Sequence, residues 1–204
     1  MAGFLSIVSQ HPLVVQSSLT FPLTMRFFAI CALLGVAACA DPHTVSTKRD
    51  ANCTEQPLGK GPVPSPDNSN EFLHSEELIK LAKGAETPAN YTKAFENLQA
   101  STSTDNYMGY ITLDSYDTAL CAANCTEKSE CQSINIFFER SPTVSPGEDC
   151  VNPFSTTVIK CAFWGSPVSE ATATNTGYTE EAFKVVVAGS NGYYNSRAKV
   201  QQKG

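Results

Sequence analysis

Cys121-Ala-Ala-Asn-Cys125-Thr-Glu-Lys-Ser-Glu-Cys131-Gln-Ser-Ile134-Asn-Ile136-Phe-Phe138-Glu139 joins three cysteines to an alternating apolar run. Cys121 and Cys125 stand four apart, so on a helix they share one face and reach the same neighbour. Directly after Cys131, Ile134, Ile136 and Phe138 alternate with Ser133, Asn135 and Phe137, the two-residue period of a strand with unlike faces. Upstream, Asp114 or Ser115 is expected to cap the helix, which runs from Tyr116 to about Thr126 with Asp117 in its first turn. A helix thus lays two cysteines against a sheet.

Upstream of that stretch, Tyr107-Met-Gly-Tyr-Ile-Thr-Leu113 and, less clearly, Thr87 to Leu98 carry strand patterning. Glu71 to Lys83 has helical spacing, with Asn70 or Ser75 as cap and Gly84 as stop. Downstream, Ser141 to Asp149 is a proline- and glycine-marked loop. Val158 to Trp164 and Ala182 to Ala188 are further strands, separated by an exposed connection over 168–179, and Ser190-Asn191-Gly192 is expected to turn. The expected fold class is α+β, an antiparallel sheet crossed by one main helix. Gln56 to Asn70 holds four prolines, each lacking a backbone donor, and forms a lead-in arm. From Ser196 the tail has neither pattern nor apolar content and is expected to be disordered.

The first fifty residues set the compartment. Met25-Arg26 precedes an apolar run to Ala40 that closes on Ala38-Cys39-Ala40, a small-x-small cleavage pattern. The run falls short of the roughly 20 residues a membrane helix needs. Residues 25–40 are therefore expected to be a signal peptide, and 1–24, without Lys or Arg, an upstream extension of the reading frame. Residues 41–49 end in Lys48-Arg49, a dibasic pair with the look of a processing site, and 50–70 is the arm. The stapled domain occupies 71–195 and the tail 196–204.

Residues 50–204 hold 11 Lys+Arg and 19 Asp+Glu, so the net charge is 11 − 19 = −8. That sign argues against nucleic acid or an anionic membrane, both of which need clustered positive charge. No apolar tail for an anchor follows. Cys31 and Cys39 leave with the signal; Cys53, Cys121, Cys125, Cys131, Cys150 and Cys161 remain, an even set in an oxidising route, open to 15 pairings into three disulfides. No histidine cluster accompanies them, so neither metal nor cofactor is expected. Asn52, Asn90 and Asn124 open sequons and are candidate glycan sites, Asn90 foremost, because a cysteine stands in the middle of the other two.

Leu120-Cys-Ala-Ala-Asn-Cys125, Asn135-Ile-Phe-Phe-Glu-Arg140, Ile159-Lys-Cys-Ala-Phe-Trp-Gly165 and Val186-Val-Ala-Gly-Ser-Asn-Gly-Tyr193 resemble a PAN/Apple module, and most of all secreted ascomycete proteins with a PAN-like domain. The likeness runs from about Cys53 to Tyr193. It implies the pairs Cys121–Cys161 and Cys125–Cys131, leaving Cys53 with Cys150. Relatives in that group continue past Tyr193 into a second cysteine-containing region, so the C-terminus is expected to be shortened. The resemblance also implies a non-catalytic binding role outside the cell, toward carbohydrate or glycoprotein.

The residues themselves agree chiefly through scarcity of catalytic groups. His74 is the only histidine after residue 49, on an expected solvated helix start. The carboxylate pairs Glu76/Glu77, Asp114/Asp117, Glu148/Asp149 and Glu180/Glu181 keep a small glycoside hydrolase as the second reading, but neighbours in sequence usually form caps or solvated faces. A secreted effector with a protein partner is the other alternative. For a sugar ligand, which aromatic rings would stack upon, the candidates are Trp164, Phe137, Tyr193 and Tyr194. The oligomeric state is left open.

Overall fold

A computed structural model describes residues 53–197. Within them α1 (Ser69–Leu73) and α2 (Glu76–Gly84) precede β1 (Tyr91–Leu98), β2 (Ser101–Thr102) and β3 (Tyr107–Leu113). Then come α3 (Thr118–Thr126), β4 (Ser133–Pro142), β5 (Ser155–Trp164), a 3-10 turn at Glu170–Thr172, β6 (Ala173–Asn175), β7 (Gly177–Glu180) and β8 (Phe183–Asn195). The main sheet is antiparallel in the order β1-β8-β4-β5-β3, with β7 added on β8, and β2 and β6 form a separate two-stranded ribbon. The expected α+β class holds, as an antiparallel sheet, short helices and three disulfides.

The core lies on one face of this sheet. Ile134, Ile136 and Phe138 of β4 and Ile159, Cys161 and Phe163 of β5 meet Phe72 and Leu78 of the first helices and Cys121, Ala122 and Cys125 of α3. Cys121 bonds to Cys161, which nails α3 to β5, and Cys125 bonds to Cys131 at the entry to β4. Cys53 bonds to Cys150 and ties the arm to the β4–β5 loop.

Three local expectations are corrected. The helix over 71–83 is two helices, because Asn68 caps α1 through Glu71 N–H (2.9 Å) and Ser75 restarts the chain by capping α2. Asp117 is the cap of α3 and not a first-turn residue, its Oδ1 accepting from Leu120 N–H at 2.8 Å. Ser190-Asn191-Gly192 is no turn: β8 runs through it, and Ser190 and Asn191 are buried. The chain absorbs the irregularity at Gly189, whose φ of +55° belongs to the left-handed region and makes a bulge opposite Ile136 and Phe138. The connection over 168–179 is exposed along most of its length and carries the 3-10 turn, β6 and most of β7.

Candidate functional site

The sheet's other face is partly open. Alternation along β4 and β5 sends Phe137, Glu139, Lys160, Ala162 and Trp164 to it, since their neighbours face the helix-side core. On β3 simple alternation would place Tyr107 and Tyr110 on opposite faces. Instead Tyr107 pairs with Trp164 and Tyr110 with Ala162, three residues against two, around Gly109 at φ +94°. This bulge brings both tyrosines to the open face, where they are 54 % and 52 % exposed. β7 adds Tyr178, 61 % exposed.

Two adjoining clefts share Tyr110, Glu139 and Lys160. The first, about 350 Å³, is walled by the arm at Gln56–Lys60 and by Tyr178 and Glu180, with Asp114 at its rim. The second, about 290 Å³, has Phe137 and Ala162 as an apolar floor, Tyr107 and Trp164 on one side, and Ser101, Thr102 and Asn175 on the other. At the junction Lys160 Nζ lies 2.7 Å from Glu139 Oε1 and 4.7 Å from the centre of the Tyr110 ring. The Tyr107 ring stands tilted against Trp164 with centres 5.0 Å apart. Burial, with Tyr110 nearby, raises the Tyr107 phenol above its ordinary pKa, and burial with Glu139 and Glu180 raises that of Tyr178. Both phenols therefore keep their donor protons at neutral pH. The groove thus sets exposed ring faces beside hydrogen-bonding side chains.

The sequence-derived candidates divide. Phe137 and Trp164 line the second cleft, although each shows little surface because Phe137 packs with Ala162 and Val187, and Trp164 with Phe95 and Val168. Tyr193 is corrected: it is fully buried opposite Ile134, its hydroxyl accepting from Asn191 Nδ2 at 3.1 Å, so no ligand can stack on it. Tyr194, the next residue of the same strand, is 40 % exposed but lines neither cleft. The missed residues are Tyr107, Tyr110, Tyr178, Glu139 and Lys160. The one signal for the first two was Gly109 inside an aromatic strand, a mark of a bulge.

Of the carboxylate pairs, only Asp114 and Glu180 reach the groove, where they join Glu139. Glu76 and Glu77 stand in the first turn of α2, and Asp117 caps α3. His74 is exposed at the end of α1, its Nδ1 2.8 Å from the Asn70 carbonyl. Among the described residues no three His, Cys, Asp or Glu side chains gather around a common point for a metal ion. Asn90 is exposed at a left-handed turn before β1, with φ of +66°. Asn124 is half-buried on α3 and donates to the Leu120 carbonyl at 2.9 Å. Asn52, the signal peptide and the dibasic pair lie outside the described residues.

No family model matches the sequence, and no curated protein or solved structure matches it either.

Proposed function

We propose that this chain is a secreted, non-catalytic binding protein of PAN/Apple-like type that holds an extracellular carbohydrate, free or on a glycoprotein, in the open-face groove. The observation that carries the reading is the trio Tyr107, Tyr110 and Tyr178, exposed along adjoining clefts, the second of them floored by Phe137 and Ala162. Supporting the compartment are three disulfides within residues 53–161, and the lack, among the described residues, of any helix long and apolar enough to cross a membrane. Supporting the PAN/Apple likeness is a helix that carries two half-cystines onto the sheet.

The test is retention of the oxidised protein on insoluble polysaccharides and a glycan array. Tyr110→Ala and Tyr178→Ala are each expected to weaken binding about tenfold, while Tyr194→Ala leaves it unchanged. Equal loss from all three variants, or from none, sinks the assignment of the groove. Release of reducing sugar from a bound polymer would turn the reading toward a hydrolase working through Asp114 and Glu180. A protein partner is the second reading, favoured by Phe154, 82 % exposed near Val151; silence on every glycan would move the function there.

A further inference from the structure

Two hydrogen-bonding groups beside the second cleft have no partner. Trp164 and Thr102 are each 5 % exposed, both line the cleft, and neither the indole Nε1–H nor the Thr102 hydroxyl makes a hydrogen bond among the described residues. Buried polar groups are paired in nearly all folded proteins, and an orphan beside a cleft points to a ligand that completes it. The indole can only donate, and the hydroxyl can donate too, so the missing group is an acceptor. Between them and the junction lies the apolar floor of Phe137 and Ala162, which offers nothing polar to a sugar hydroxyl. A carboxylate is disfavoured there, because the one cation among the described residues lining the second cleft, Lys160, is already paired with Glu139.

We propose that the second cleft takes the acetamido group of an N-acetylated amino sugar. The carbonyl oxygen accepts from Trp164 Nε1–H and the Thr102 hydroxyl, and the methyl group packs on Phe137 and Ala162. The sugar ring lies across Tyr110 toward the first cleft. The half-exposed Tyr107 ring, 5.0 Å from the indole, turns outward to admit the group, a rotamer change within reach of a surface side chain. This ligand class rests on the carbohydrate reading of the groove given above.

Trp164 is the only tryptophan of the chain, so its fluorescence reports on this cleft directly. The full chain, produced through an oxidising secretory host, is titrated with the trimer of N-acetylglucosamine, the matching glucosamine trimer and cellotriose. The acetylated trimer is expected to shift Trp164 emission saturably and to bind at least tenfold more tightly than either other trimer. Thr102→Val, which keeps the branched shape and deletes the hydroxyl, should lower that affinity about fivefold. Thr102→Ser should retain it, and calorimetry on Trp164→Phe should show a similar loss. Equal affinity for the acetylated trimer and cellotriose overturns the acetamido assignment and leaves the groove standing as a sugar site. Binding of none of the three also overturns it, and silence on the wider glycan panel then removes the groove reading as well.

Discussion

Arg140 is 3 % exposed, and its charge is answered by one residue of the arm. Its Nη2 donates to Asp67 Oδ1 at 2.8 Å, its Nη1 to the Lys184 carbonyl at 3.0 Å, and its guanidinium lies 4.2 Å from the centre of the Phe183 ring. Asp67 also accepts from the Ser155 N–H and hydroxyl. Burial alone would raise the Asp67 pKa, but the Ser155 and Arg140 hydrogen bonds outweigh it and hold the carboxyl below its ordinary value. With a folded pKa below the unfolded one, the stabilisation is full above the unfolded value of about 4 and disappears as pH falls through the folded value. Asp67→Asn is expected to cost about 3 kcal/mol near neutrality, by leaving Arg140 buried and unpaired. Urea unfolding at pH 7 and pH 3 checks it, and the gap between wild type and variant should shrink at the lower pH. At Gly189 the cause is steric: a Cβ would stand 2.8 Å from Phe138 at a φ of +55°. Gly189→Ala is accordingly expected to cost about 2 kcal/mol, read as a lowered unfolding midpoint with unchanged urea slope.

At the scale of elements, β2 is too short to hold itself. Asn135, fully buried on β4, anchors it by accepting from Thr102 N–H at 2.7 Å, while its Nδ2 donates to Ser190 Oγ and to the Asn191 carbonyl, both at 2.9 Å. Asn191 works similarly on the helix side, donating to the Ala82 carbonyl at the end of α2 and accepting from Asn97 N–H. These two asparagines are why β8 continues where a Ser-Asn-Gly triplet suggested a turn. Their side chains satisfy other segments' backbones rather than their own. Asn135→Ala strands the Thr102 amide and the Asn191 carbonyl, and about 2 kcal/mol of destabilisation is expected. Hydrogen exchange supplies the check: the Thr102 amide should lose protection by a larger factor than the amides of β5. The same substitution loosens the wall of the second cleft, so ligand affinity should fall with it.

On the scale of the whole molecule, the arm is held by Cys53–Cys150 at one end and by Asp67–Arg140 at the other. Between them Gly59 and Gly61 pass so close to Thr157 that a Cβ would collide, at 1.9 Å from its carbonyl oxygen in the first case. The Cys53–Cys150 bond closes 97 residues of sequence, a loop worth about 5 kcal/mol in unfolded-chain entropy. Replacing both cysteines by serine should lower the melting temperature and weaken ligand retention together, because Gln56–Lys60 wall the first cleft. Full stability with lost retention would show instead that the bond serves the groove alone.

The part of the fold legible before folding rests on short-range rules. The four-residue spacing of Cys121 and Cys125, the alternation from Ser133 to Phe138 and the even cysteine set are local patterns that survive any tertiary arrangement. They were enough for an antiparallel sheet with a cysteine-bearing helix laid against it. Which face of each aromatic meets solvent was decided only in three dimensions. One residue of slip exchanges the two faces of a strand, and the slips fall at Gly109 and Gly189, whose left-handed backbone no periodicity count can locate. So Tyr107 and Tyr110 share the groove though their spacing would part them, and Tyr193 is buried beside an exposed Tyr194. The groove has the same origin, since its walls come from the arm, β3, β7 and the 101–103 segment, brought together by a disulfide across 97 residues and by buried asparagines.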